Sequence, residues 1–306
     1  MTKTAFLFAG QGAQYLGMGR DLYDQYDVVK ETFDKASAVL GYDLRELIDS
    51  DEEKLNQTRY TQPAILTTSV AIYRVLQEKG YQPDMVAGLS LGEYPALVAS
   101  GALDFEAAVA LVAKRGAYME EAAPVGSGKM VAVLNTDVAV IEQACQEASE
   151  LGVVTPANYN TPAQIVIGGE VAAVDKAVEL LQVAGTKRLI PLKVSGPFHT
   201  ALLEPASQKL ATALEEVNFA DFACPLVGNT EARVMEKDQI KSLLTRQVKE
   251  PVRFYESIAV MQETGVTDFV EIGPGKVLSG FIKKIDKTAS MTNVEDAASL
   301  DAFLAR

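Results

Sequence analysis

Short apolar runs alternate along the chain with longer stretches in which apolar positions recur every three or four residues. Ala5–Ala9, Met85–Leu89, Pro225–Val227 and Phe269–Ile272 are the short runs, and each predicts a buried strand. Ile65–Glu78, Phe105–Glu120 and Arg253–Glu263 carry the helical period instead. Strands separated by helices imply a parallel sheet covered on both faces, so the expected class is α/β.

Between residues 126 and 195 the order changes. Lys129–Leu134 reads as a strand, Val138–Glu150 as a helix, and Val153–Ala157 and Gln164–Ile167 as strands across a turn at Asn158–Pro162. Val171–Val183 follows as a helix and Arg188–Leu192 as a strand. The order βαββαβ predicts a ferredoxin-like unit. It follows Pro124-Val-Gly-Ser-Gly128, a linker composition, and ends near Ser195-Gly-Pro197, where long helical periods resume. The expected organisation is a large α/β domain of residues 1–125 and 196–306, interrupted by a small ferredoxin-like domain of residues 126–195.

Composition adds exclusions. A 306-residue chain that is 48% hydrophobic can build a core without metal or disulfide staples. Its net charge of −13 repels nucleic acid and acidic membrane surfaces, so an anionic ligand needs a local basic site. No run approaches the ~18 apolar residues of a membrane span, and the first run is too short for a signal peptide. Cys145 and Cys224 are too far apart for a CxxC pair, which favours a reducing compartment; the cytoplasm is expected. One histidine in the chain removes every enzyme class built on several, and with them His-rich metal sites. No metal is expected, and any general-base histidine must be His199.

Gly88-Leu-Ser-Leu-Gly92 fits G-x-S-x-G, with an apolar strand before it and a helical segment, Glu93–Ala99, after it. That context makes it a nucleophile elbow of the kind found on hydrolase-like parallel sheets, with Ser90 lifted clear of the turn. A serine hydroxyl needs a base, and His199 lies in a loop just before a helix, where sites tend to sit. The group that holds the imidazole cannot be read off spacing: no Asp follows His199 within a short loop, which leaves an amide or a backbone carbonyl among the candidates. Arg115 falls inside the apolar arc of its helix. It is either an Arg whose head snorkels to water or a buried guanidinium awaiting a carboxylate. Gly10-Gln-Gly-Ala-Gln14 follows the first strand and emerges at the same sheet edge as the elbow; it is either a plain turn or a source of backbone N–H groups for an oxyanion.

Taken in order, Phe8-Ala-Gly-Gln-Gly-Ala-Gln14, Gly88-Leu-Ser-Leu-Gly-Glu93, Arg115, Asn158-Tyr-Asn160, Gly196-Pro-Phe-His199, Gln247 with Pro251, and Gly273-Pro-Gly275 resemble the malonyl-CoA:acyl carrier protein transacylases over essentially the whole chain. The chain also resembles the acyltransferase domains of polyketide and fatty acid synthases. The resemblance implies that Ser90 carries an acyl ester and His199 deprotonates it, with Gln247 supplying the carbonyl that holds the imidazole. It implies oxyanion N–H groups from Gln11 and Leu91, and a clamp on the malonyl carboxylate from Arg115. Phe198, Met119, Asn158 and Asn160 would line the acyl site, with Phe198 as a wall against a methyl branch. One departure stands out: the family usually has His before the nucleophile, where this chain has Leu89.

The expected partners are malonyl-CoA and acyl carrier protein, acting on a monomer. No cofactor is expected, since the CoA thioester is itself the substrate. A serine hydrolase sharing the elbow is one rival; the inserted unit, the lack of an HGGG segment and the lack of an acidic residue in an obvious loop ahead of His199 count against it. A non-catalytic carrier-binding subunit is the other, and it would leave Ser90 unlabelled.

Overall fold

The computed structural model describes residues 2–194 and 196–306. Met1 and Ser195, which fall at the ends of expected segments, lie outside the described residues. The strands are β1 (Lys3–Phe8), β2 (Met85–Gly88), β3 (Lys129–Leu134), β4 (Val154–Thr161), β5 (Gln164–Gly169), β6 (Arg188–Pro191), β7 (Val266–Ile272) and β8 (Ser290–Val294). They form two sheets, one parallel in the order β2-β1-β7-β8 and one antiparallel in the order β4-β5-β3-β6.

In the parallel sheet both faces are dry, which is why β1 reads as an unbroken apolar run. Phe6 and Phe8 pack with Ile65, Leu66 and Val70 of helix Thr58–Glu78, whereas Ala5 and Leu7 pack with Phe254, Ile258 and Phe281 on the opposite face. In the antiparallel sheet Val131, Val133, Ile165 and Ile167 face Ile141, Val174 and Leu181 of helices Val138–Ala148 and Val171–Val183. The alternate residues Met130, Ala132 and Val166 turn the other way, into the hydrophobic cluster that also holds Phe6 and Phe8. Among the described residues no helix is long and apolar enough to cross a membrane.

Four local expectations change. The turn expected at Asn158–Pro162 shrinks to Pro162 and Ala163: β4 continues to Thr161, because its outer edge finds a partner. Tyr159 N–H donates to Val252 O (2.8 Å) and Val252 N–H to Ala157 O (2.9 Å), and these bonds keep a turn-like sequence extended. Pro225–Val227 yields only isolated bridges, Leu226 with Val86 and Val227 with Val234, for a short run that opens on a residue without an N–H cannot sustain a ladder. β8 has no apolar run to announce it; it is an edge strand, largely half-buried. Helix Thr58–Glu78 starts well before Ile65 and carries Pro63 inside it.

The elbow depends on two close backbone approaches. A Cβ on Gly88 would lie 1.9 Å from Gly92 C, and one on Gly92 would lie 2.1 Å from Phe8 O. Both glycines are therefore required by proximity, since rigid backbone has nowhere to retreat. Gly280, exposed in helix Val277–Ile285, has nothing within 4 Å of its missing Cβ. Chemical denaturation should separate the two cases: Gly92→Ala destabilises by about 3 kcal/mol or more through overpacking, whereas Gly280→Ala stabilises by roughly 0.5–1 kcal/mol through helix propensity. A Gly92→Ala protein as stable as the parent would refute the packing argument.

Candidate active site

β2 ends at Gly88, Leu89 is extended, and a short 3₁₀ turn, Ser90–Gly92, leads into helix Glu93–Ala99. Ser90 sits at φ 54°, left-handed backbone that costs a non-glycine residue of order 1–3 kcal/mol. Asn229 secures it, accepting the Ser90 N–H at Oδ1 (2.7 Å) and donating from Nδ2 to Gly88 O (2.6 Å). His199 is likewise left-handed, at φ 60°, and its N–H bonds to Val248 O (3.2 Å).

Those two strained residues meet. Ser90 Oγ lies 2.8 Å from His199 Nε2, and His199 Nδ1 lies 2.7 Å from Gln247 O. A carbonyl only accepts, so the imidazole proton belongs on Nδ1 and the bare Nε2 faces the serine hydroxyl. Burial, reinforced by the nearby Arg115 charge, pushes the His199 pKa down to about 4, against the backbone carbonyls that favour the cation. The ring is thus neutral at pH 7, with Nε2 free to accept a proton.

Arg115, on helix Phe105–Ala122, is 1% exposed. Of the two readings left open for it, the buried guanidinium is the correct one. Nη1 donates to Gln62 Oε1 (2.8 Å), and Nη2 to Gln247 Oε1 (2.8 Å) and Ser90 Oγ (3.2 Å), while its Cζ lies 5.4 Å from the Tyr94 ring centroid. Among the described residues Nε has no partner and no carboxylate pairs with the group. Burial lowers its pKa, opposed by Tyr94 and Glu93. Glu93 is equally buried; it accepts Asn229 N–H and Gln247 Nε2, each at 2.5 Å. Burial raises its pKa to about 7, against those two bonds and Arg115.

The remaining expected residues gather unevenly. Gln11 donates from Nε2 to Thr58 Oγ1 (3.0 Å) and accepts from Gln62 Nε2 (3.5 Å), which also donates to Met119 Sδ (3.3 Å). The loop carrying Gln11 presses on the elbow: a Cβ on Gly10 would lie 2.4 Å from Leu89 O. Leu91 is buried in the 3₁₀ turn right after Ser90, and Phe198 is buried beside His199. Among the described residues, Asn158 and Asn160 make no hydrogen bond to this cluster. Asn158 lies at the bridge to Val252, and Asn160 is buried with Oδ1 unpartnered among the described residues. Gln62, Asn229 and Glu93 were not foreseen as site members. A glutamine amid the buried run of a long helix is a signal for Gln62; nothing local marks Asn229.

Residues 5–302 match the family described as acyl transferase domain. The chain belongs to that family. It is 47% identical over 304 residues to the malonyl CoA-acyl carrier protein transacylase of Bacillus subtilis (strain 168), covering 98% of this chain and 96% of that one. The structure is similar to that of MCAT from Streptococcus pneumoniae, with 82% identity, a TM-score of 0.98 and 99% of each chain covered. It is also similar, at 46% identity and a TM-score of 0.96 over 99% of each chain, to PlMCAT in a complex described as a type II PKS acyl-carrier protein with its malonyl-transacylase. In this acyl transferase Leu89, where the resemblance leads one to expect His, is half-buried against the Ala5 and Leu7 face of the sheet.

The single histidine gives one imidazole to follow by NMR. Its folded pKa lies below the unfolded 6.5, so its contribution to stability is present above pH 6.5 and is lost as pH falls towards about 4. The ring resonances should stay fixed from pH 8 to 6 and titrate near 4, and Arg115→Ala should raise that midpoint. A midpoint near 6.5 in the parent protein would contradict the buried, neutral imidazole.

Proposed function

We propose that this acyl transferase moves the malonyl group from malonyl-CoA to the phosphopantetheine thiol of acyl carrier protein, through an ester on Ser90, and so supplies fatty acid elongation. The observation that carries the reading is Arg115: a buried cation whose hydrogen-bond partners among the described residues are all neutral, within 3.2 Å of the hydroxyl of a serine–histidine pair. A guanidinium so placed is matched to an acyl chain ending in a carboxylate. The names and the carrier complex of the relatives agree with it.

The cycle is ping-pong. His199 Nε2 takes the Ser90 proton as Oγ attacks the thioester carbon; the carbon–sulfur bond breaks, and the imidazolium returns the proton to the CoA sulfur. The carrier thiol then gives its proton to His199 and attacks the ester, and Ser90 leaves with that proton. Backbone N–H groups of Gln11 and Leu91 stabilise the oxyanion in both halves. Phe198 and Met119 wall the acyl group, and Asn158 and Asn160 flank its approach. No metal or bound cofactor enters. Residues 1–125 and 196–306 act as the catalytic unit with 126–195 inserted, in a cytoplasmic monomer.

Intact-mass measurement after mixing with malonyl-CoA should show one malonyl adduct, absent in Ser90→Ala. His199→Ala should slow its formation by about 10²–10⁴-fold, the usual contribution of a general base. An adduct surviving Ser90→Ala, or near-normal rates in His199→Ala, would overturn the assignment.

Carrier proteins of this type are acidic, and the enzyme carries −13, so encounter needs a local positive patch. Lys187 with Arg188, and Lys283 with Lys284 and Lys287, are exposed. Reversing the charge of either pair, Lys187 and Arg188 or Lys283 and Lys284, should slow transfer to the carrier and flatten its salt dependence, leaving Ser90 acylation nearly unchanged. Carrier kinetics untouched by both reversals across a salt series would exclude both clusters.

A further inference from the structure

The transfer steps leave Glu93, a buried charged group bonded into the site, without a task. Glu93 is 1% exposed, and each carboxylate oxygen is engaged, Oε1 by Asn229 N–H and Oε2 by Gln247 Nε2. Gln247 Nε2 also donates to Ser90 O (2.9 Å), while Gln247 Oε1 accepts from Arg115. An amide has a donor end and an acceptor end, so the group behind it decides which end Arg115 meets.

We propose that Glu93 is a positioning residue for acyl selectivity: its carboxylate fixes the orientation of the Gln247 amide, which keeps an acceptor on Arg115 and holds the guanidinium at the acyl site. The inference rests on Arg115 as the clamp for the acyl carboxylate. Asn229 offers Glu93 a backbone N–H that cannot be reversed. A glutamine at position 93 must keep its carbonyl on that N–H and turn its NH₂ towards Gln247 Nε2, donor against donor. Relief comes only if the Gln247 amide flips, and then an NH₂ faces the guanidinium and Ser90 O loses a donor. His199 is spared, because it is held by the Gln247 backbone carbonyl and not by the amide. The damage therefore falls on the clamp and leaves the nucleophile–base pair in place.

The test compares Ser90 acylation by malonyl-CoA and acetyl-CoA in the full chain, with thermal melts as the check on folding. In Glu93→Gln the malonyl-to-acetyl ratio of kcat/KM should fall at least about tenfold, chiefly through KM for malonyl-CoA, with acetyl transfer within about threefold of the parent. An unchanged ratio, or equal losses for both donors, overturns the proposal. If Glu93→Gln does not fold, Gln247→Met decides on the malonyl-to-acetyl ratio alone, whatever the absolute rate, since it removes the amide and keeps the backbone carbonyl. In Gln247→Met a surviving ratio overturns the proposal and a collapsed one supports it. Arg115→Ala separates the two layers of the argument: a ratio that survives it overturns the clamp itself, whereas a ratio that collapses there but survives Glu93→Gln overturns only the role of Glu93.

Discussion

Gln247 is the node on which the site depends. Its backbone carbonyl holds His199 Nδ1, its side-chain carbonyl takes Arg115, and its amide nitrogen reaches Ser90 O and Glu93. One residue at the end of helix Ile240–Gln247 thus sets the base, the guanidinium and the elbow relative to one another. The next residues extend the control. Val248 O receives the His199 N–H, and Val252 pairs with Ala157 and Tyr159 of β4, so the antiparallel sheet is fastened to the same short segment. The imidazole and the edge of the antiparallel sheet are therefore both held by the stretch of chain from residue 247 to 252.

Two left-handed residues, Ser90 and His199, store strain at the point where they face each other. Each is held by bonds that another backbone geometry would forfeit: Asn229 on Ser90 N–H and Gly88 O, and Val248 on His199 N–H. The cost, of order 1–3 kcal/mol per residue, is offset by packing elsewhere and leaves both groups aimed before any ligand arrives. Arg115 contributes to the same preorganisation, for it donates to Ser90 Oγ and discourages protonation of His199.

Much of this was legible in the chain. The elbow announces itself because strand, glycines and helix must all be present together, and His199 follows by being alone. Roles for Gln247, Gln11 and Leu91 came only from resemblance, since the parts it assigns them belong to backbone carbonyl and N–H groups, which every residue carries and no side chain announces. Asn229 and Glu93 were unreadable for a different reason: their partners are far along the chain, at separations of 136 to 154 residues for the bonds of Glu93, and only the fold brings them together. Asn158–Asn160 misled because a turn-like composition was overruled by an edge pairing with Val252, a tertiary term that no local pattern contains. β8 was invisible for a related cause, being an edge strand whose side chains are largely half-buried.

Burying an arginine among amides has a consequence for what the site accepts. Amide carbonyls satisfy hydrogen bonds but neutralise no charge, so the guanidinium remains an unmet cation in a dry setting, with Glu93 one residue removed through Gln247. An acyl group ending in a carboxylate supplies the missing charge where Coulomb attraction is least screened, whereas an uncharged acyl group gains only contact. On the proposed reading, selectivity arises from the cost of burying Arg115 without a counter-charge, and it needs no large pocket to express it. The negative surface of the protein does not oppose this, because exposed charges are screened over ~8–10 Å of salt solution while Arg115 and Ser90 interact at 3.2 Å.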